Sequence, residues 1–219
     1  MVELETEEAE IITKNKKSAV YFFFKRAIDI IGSIVGLIIL SPLFLILAIV
    51  VKMDSKGPVF FAHKRLGYNG KIIKIFKFRT MVTDAEAMID KLPLEKKEEF
   101  KKNFKLEDDP RITKVGKFLR KTSLDELPQL VNILKGDLTI VGPRPIVKKE
   151  IELYGKYGSK LLSVKPGLTG YWQVNGRSDT TYEERVQLDM TYIDERCLLL
   201  DIKIILKTFI EVFRGRGAK

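Results

Sequence analysis

The chain has 219 residues, with 39 Lys and Arg against 29 Asp and Glu, and a formal net charge of +10. That length holds one ordinary domain with a modest core, and a single cysteine, Cys197, excludes an internal disulfide framework. The cationic excess suits nucleic acid, an anionic membrane surface or phosphorylated small molecules, and charge alone does not choose among them.

Residues 1–24 are polar, acidic at first and basic at Lys14, Lys16 and Lys17, without the basic-then-apolar order of a signal peptide. They read as a leader. The apolar run Ile28 to Val51 follows, about 24 residues against the ~20 that cross a bilayer. Pro42, preceded by Ser41, falls near its middle, where it removes the hydrogen bond to Ile38 and disfavours helical geometry at Ser41. Each half, about 14 residues or fewer at 1.5 Å per residue, is too short for ~30 Å of hydrocarbon. Lys25 and Arg26 precede the run, and Lys52, Lys56, Lys64 and Arg65 follow it, so both ends read as cytoplasmic. The expectation over residues 25–52 is a re-entrant helix-break-helix at Ser41–Pro42, whose freed backbone groups need partners such as the Ser41 hydroxyl. A kinked spanning helix is the alternative. Asp29, beside Lys25 and Arg26, reads as a paired structural charge.

Residues 53–219 read as a small α+β domain, mainly helical. Val59 to Ala62 and Lys71 to Phe78 are β-prone stretches joined through Gly67-Tyr68-Asn69-Gly70, a β-hairpin pattern. Strand alternation puts Lys77 and Arg79 on one side. His63, the only histidine, reads as a surface residue. From Asp84 to Leu106 two charged amphipathic helical pieces are split by Pro93. Asp108-Asp109-Pro110 is explained by turn chemistry. A basic stretch from Thr113 to Arg120 leads to Thr122-Ser123-Leu124-Asp125-Glu126-Leu127-Pro128-Gln129-Leu130-Val131.

Ser123 and Glu126 have the spacing of a capping box at the start of a helix from Leu124 to about Leu134, ended by Gly136. On that reading neither acid does chemistry. The cationic flanks, Lys114 to Lys121 and Gly142-Pro143-Arg144-Pro145, favour another: acids at a helix N-terminus stay ionised, which suits a nucleophile or a metal ligand, and phosphate is the natural guest. Two prolines around Arg144 hold a guanidinium ready for phosphate oxygens. Lys165 to Gly170 reads as a loop, Tyr182 to Arg196 as a helix, and Ile202 to Phe213 as an amphipathic helix suited to a membrane interface or to core packing.

Ser123 to Val131, Phe76-Lys77-Phe78-Arg79-Thr80-Met81, Val141 to Pro145 and Lys165 to Gly170 together resemble the bacterial sugar transferases, the monotopic phosphoglycosyl transferases. The resemblance runs from Lys25 to the C-terminus. It implies a membrane hairpin broken at Ser41–Pro42, with a catalytic domain on the cytoplasmic face of the bacterial inner membrane. It also implies transfer of a sugar-1-phosphate, with a lean to galactose or glucose, from a UDP-sugar to polyprenol phosphate. Asp125 would be nucleophile and Mg²⁺ ligand, Glu126 its assistant, and Lys77, Arg79, Arg120, Arg144 and Arg177 the phosphate-binding cations. Asp189 and Asp201 fall at acidic family positions, and His63 stands where the family commonly has glutamine. Membrane lipids are an expected partner and nucleic acid is not; homo-oligomer formation stays open. A glycosyltransferase releasing UDP, or a non-catalytic basic membrane scaffold, remain the alternatives.

Overall fold

The computed structural model describes residues 18–90, 92–103, 106, 108–176 and 180–213. Its dominant element is α1, Ala19–Asp54, a helix of 36 residues that Ser18 caps by accepting from Tyr21 N–H. The helix therefore opens inside the stretch 1–24 read as leader; residues 1–17, with Lys14, Lys16 and Lys17, lie outside the described residues. At 1.5 Å per residue α1 is about 54 Å long. By length and composition it could cross a membrane.

The expected interruption at Ser41–Pro42 is not present as a break between two elements: α1 is helical on both sides of Pro42 and through it. The physical reason is local. Pro42 lacks the N–H that would reach Ile38 O, and the Ser41 hydroxyl donates to that carbonyl instead, at 2.8 Å. The backbone group freed by proline is satisfied without ending the helix.

Both ends of α1 are fastened to the rest of the chain. Near its start, Lys25 Nζ donates to Asp201 at 2.8 Å and to Val141 O at 2.8 Å, and the Tyr21 hydroxyl donates to Asp201 at 3.0 Å. Asp29, buried, accepts from Ile140 N–H and the Thr139 hydroxyl, so it is structural as the sequence suggested, but its hydrogen-bond partners are neutral groups rather than Lys25 or Arg26. At the other end, Asp54 accepts from Val115 N–H at 3.3 Å, and Arg79 donates to Ser55 O, Lys56 O and Val51 O. The faces of α1 turned away from the domain are apolar and exposed at Phe23, Ile31, Ile38, Ile39 and Leu45.

The hairpin is confirmed and longer than expected on its first strand. Strand β1, Phe60–Leu66, pairs antiparallel with β2, Ile72–Phe78, with Phe61 opposite Lys77, His63 opposite Ile75 and Arg65 opposite Ile73. The charged excursion forms α2, Ala85–Ile89, and α3, Leu94–Asn103, on either side of Pro93. Asp109 chelates the Arg111 guanidinium at 2.8 and 2.6 Å, so the turn acid is structural. Helix α4, Lys114–Thr122, is capped by Thr113 and leads through a 3₁₀ turn, Leu124–Glu126, to α5, Gln129–Lys135.

Gly136 ends α5 with the expected left-handed cap at φ 82°. Strand β3, Thr139–Val141, then pairs in parallel with β4, Gly167–Thr169, within the segment expected to be a loop. Between them lie a 3₁₀ stretch, Lys148–Tyr157, and α6, Gly158–Leu162; after β4 come α7, Tyr171–Asn175, α8, Tyr182–Glu195, and α9, Leu198–Phe213. Exposed apolar residues continue on α9 at Leu199, Leu206 and Phe209 and on β1 at Phe60 and Phe61.

The placement of β2 against α5 depends on Asn132, which is fully buried. Its side chain accepts from Phe76 N–H at 2.9 Å and donates to Lys74 O at 2.7 Å and Asp137 at 3.3 Å. Replacing it by Leu leaves buried strand groups unpaired, each costing about 1–3 kcal/mol. Asn132→Leu is therefore expected to lose about 2–3 kcal/mol, a fall in Tm of roughly 5–10 °C, read by thermal unfolding of the detergent-solubilised chain; an unchanged Tm would remove Asn132 from this role.

Candidate active site

Asp125 and Glu126 are aimed by the apolar residues on either side of them. Leu124 and Leu127 are three apart, which eclipses them in a 3₁₀ turn, and both pack on the apolar cluster made by Phe78, Leu119 and the second half of α1. The two acids between them are turned towards β2. Ser123 has φ 58° and makes no side-chain cap, and Glu126 is held by Lys77, so the expected capping box is not formed. The helix expected from Leu124 is likewise divided, with Pro128 as the N-cap of α5.

Lys77 joins the pair: its Nζ donates to Glu126 Oε1 at 2.6 Å and to Asp125 Oδ2 at 3.5 Å. Asp125 is buried at 6 % exposure, and this matters for its charge. Burial raises its pKa above the ordinary aspartate value; Lys77 and Arg120 oppose the shift and Glu126 adds to it. Ionisation is thus less favourable than a helix N-terminus alone implied. Burial also raises Glu126, but Lys77, Arg144 and Arg65 outweigh it and hold this carboxyl below its usual range. Adjacent acids in one turn have been pushed in opposite directions.

Glu126 and Lys77 open onto a cleft walled by β1, β2, α5, β4 and the segment after β3, and Asp125 adjoins it through its contact with Lys77. Arg144 stands on its wall with no hydrogen bond among the described residues. Close backbone approach fixes that segment: Gly142 N–H donates to Thr169 O and Gly167 N–H to Pro143 O, and a Cβ on Gly167 would lie 2.1 Å from Gly142 N. Arg120, whose Nε donates to the Thr80 hydroxyl, acts on Asp125 from α4.

The other expected site residues divide plainly. Arg79 lies outside the cleft, its guanidinium capping carbonyls at the end of α1; strand alternation stops at Phe78, so it does not follow Lys77. Asp201 is buried in the Lys25–Tyr21–Tyr192 network and does not reach the carboxylate pair. Asp189, fully buried, accepts from the Tyr154 hydroxyl, and burial pushes its pKa up to about 7 against the pull of that hydrogen bond, Arg144 and Arg185. It does not line the cleft. Arg177 lies outside the described residues.

The cleft also holds residues that the sequence did not single out: Arg65, ion-paired to Glu150 at 3.2 Å, with Gln129 and Gln173. His63 is not a surface bystander but part of the same wall. The signal lay in the hairpin register, because positions 61, 63 and 65 share a face with 73, 75 and 77 once the pairing is known.

The bacterial sugar transferase family profile matches residues 20–215. The chain belongs to this family. As a bacterial sugar transferase it is an enzyme, and its similarity to individual members is high. It is 45% identical over 197 residues to the exopolysaccharide production protein ExoY of Sinorhizobium fredii, covering 89% of this chain and 87% of that protein. It is 48% identical over 200 residues to the undecaprenyl-phosphate galactose phosphotransferase of Salmonella typhimurium, covering 90% of this chain and 42% of that protein. It is 41% identical over 207 residues to the UDP-glucose:undecaprenyl-phosphate glucose-1-phosphate transferase of Escherichia coli, covering 90% of this chain and 41% of that protein.

Removing the Lys77 ammonium leaves two neighbouring carboxylates to repel each other, which raises both pKa values. In Lys77→Met, transfer activity is expected to fall about 10²-fold, and its acid limb to move to higher pH. A pH–rate profile unchanged in position would contradict the role given to Lys77.

Proposed function

We propose that this sugar transferase moves a hexose-1-phosphate from a UDP-hexose to polyprenol phosphate, the first membrane-bound step of a glycoconjugate, on the cytoplasmic face of the bacterial inner membrane. The observation that carries the reading is the Asp125–Glu126 pair, bridged by Lys77, beside a cleft lined by Glu126, Lys77, Arg144 and Arg65. The names of the Salmonella and Escherichia relatives support the reaction class and the lean to galactose or glucose.

In the mechanism that fits this arrangement, ionised Asp125 attacks the sugar-proximal phosphorus. The bond to the bridging oxygen breaks, and UMP leaves with that oxygen and its electron pair. The covalent aspartyl phosphosugar is then attacked at phosphorus by polyprenol phosphate, which restores the Asp125 carboxylate and yields a lipid diphosphate sugar. Glu126, kept ionised, holds Lys77 against the reacting phosphate and orients the acceptor; Arg144, Arg120 and Arg65 take up phosphate charge.

For Mg²⁺ the donor set is sparse. No group of three or more His, Cys, Asp or Glu suited to a metal occurs among the described residues. A magnesium ion commonly uses one or two carboxylates and completes its shell with substrate phosphates and water, and Asp125 with Glu126 fits that mode. Bound there, the ion would neutralise diphosphate charge.

The fastening of α1 supports a one-sided membrane arrangement. A spanning helix delivers its ends to opposite faces, whereas Lys25 and Asp54 at the two ends of α1 both bond to the charged domain. Both ends of the helix are therefore taken to lie on one side, with its exposed apolar faces in the bilayer and the site at headgroup depth, where the lipid phosphate lies.

With UDP-galactose or UDP-glucose and polyprenol phosphate, the nucleotide released is expected to be UMP, and Asp125→Asn to lose turnover by about 10³-fold or more. Since burial raises Asp125, activity should disappear as pH falls through a value above the ordinary ~3.9. Chromatography of the nucleotide product tests the reading, and UDP as the sole product would overturn it.

A further inference from the structure

One group on the cleft wall has no part in this chemistry. His63 pairs with Ile75, one register step from Phe61–Lys77 and one from Arg65–Ile73. Alternate strand positions share a face, so the imidazole stands between the Lys77 ammonium and the Arg65 guanidinium. The charged groups that face it are Arg65 on its own strand, Lys77 on β2, Glu126 ahead of α5 and Arg144 after β3; Gln129 and Gln173 are its neutral polar neighbours.

Arg65 Nη2 lies 3.3 Å from His63 Nδ1. A guanidinium only donates, so Nδ1 is the acceptor, the ring is neutral, and its proton is on Nε2. Burial first, then Arg65, Lys77 and Arg144, hold the imidazole pKa down to about 4. A cluster of cations thus contains one uncharged member that can become a cation.

We propose that His63 is a substrate-contacting residue, which takes a proton from solvent onto Nδ1 when phosphate oxygens enter the cleft and so adds its charge to the cations around them. The inference rests on the reading of this cleft as the phosphate site. Nε2–H is a donor before the substrate arrives. The new Nδ1–H displaces the Arg65 N–H from the ring and frees it for phosphate, while the Arg65–Glu150 pair keeps the guanidinium in place. The incoming negative charge outweighs the repulsion from Arg65, Lys77 and Arg144, which favours the protonated ring. The sign follows: a proton bound in the complex and not in the free enzyme makes phosphate affinity rise as pH falls between the complex value and about 4.

Because the chain has one histidine, its ring C–H resonances are unambiguous. NMR titration of the full, detergent-solubilised chain is expected to give a His63 midpoint near 4 in the free protein. Saturation with UMP should raise that midpoint by at least about one pH unit. Calorimetry near pH 4.5 in buffers of different ionisation heat should show about half a proton more taken up on UMP binding by the natural protein than by His63→Gln, which still binds UMP. A midpoint unmoved by bound UMP, or equal proton uptake by both proteins, would overturn the role of His63 and leave the cleft reading standing. No UMP binding to the natural protein would overturn both.

Discussion

The constraint on which this structure depends is that one long apolar helix is tied at both ends to a single charged domain. A helix of 36 residues with exposed Phe and Ile along its length has nowhere to go in water. The domain answers with polar anchors rather than apolar packing alone. Lys25 and Asp29 bond to β3, Arg26 donates to Ile133 O and Leu134 O at the end of α5, and Arg79 donates to the carbonyls that end α1. Each guanidinium sits where unpaired carbonyls and the negative end of a helix dipole favour a cation. Breaking a buried pair such as Lys25–Asp201 typically costs about 3–5 kcal/mol, so these ties hold α1 firmly to the domain.

The same ties position the carboxylate pair. Strand β3, anchored by Lys25 and Asp29, leads directly into Gly142-Pro143-Arg144, while Leu124 and Leu127 rest on the second half of α1 and turn the acids towards Lys77. Membrane attachment and the carboxylate pair are thereby parts of one construction. Burial works against an ionised Asp125 and the Lys77 and Arg120 cations work for it, so this carboxylate is less solvated than a surface acid.

Much of this was legible from residue type and spacing. The hairpin, the Pro93 division, the Gly136 cap and the last helix all follow local rules that tertiary contacts did not override. The carboxylate pair and Lys77 were found through motif and charge context. The misreadings have physical causes. Proline usually breaks a helix, but the Ser41 hydroxyl takes over the freed carbonyl. Ser123 and Glu126 have capping-box spacing, but Lys77 is a stronger partner for Glu126 than a backbone N–H. Arg79 belongs in a cationic motif, yet its guanidinium is drawn to the end of α1, a long-range contact that no local pattern reports. Strand β4 exists only because β3 lies beside it, and His63 and Arg65 enter the cleft only through strand register.

The most direct measurement is the intact mass of the detergent-purified protein after incubation with UDP-galactose or UDP-glucose and Mg²⁺, without lipid acceptor. The account predicts a gain of one hexose phosphate that is absent in Asp125→Asn. No adduct with either sugar nucleotide, in a preparation that releases UMP once polyprenol phosphate is added, would contradict a covalent aspartyl intermediate.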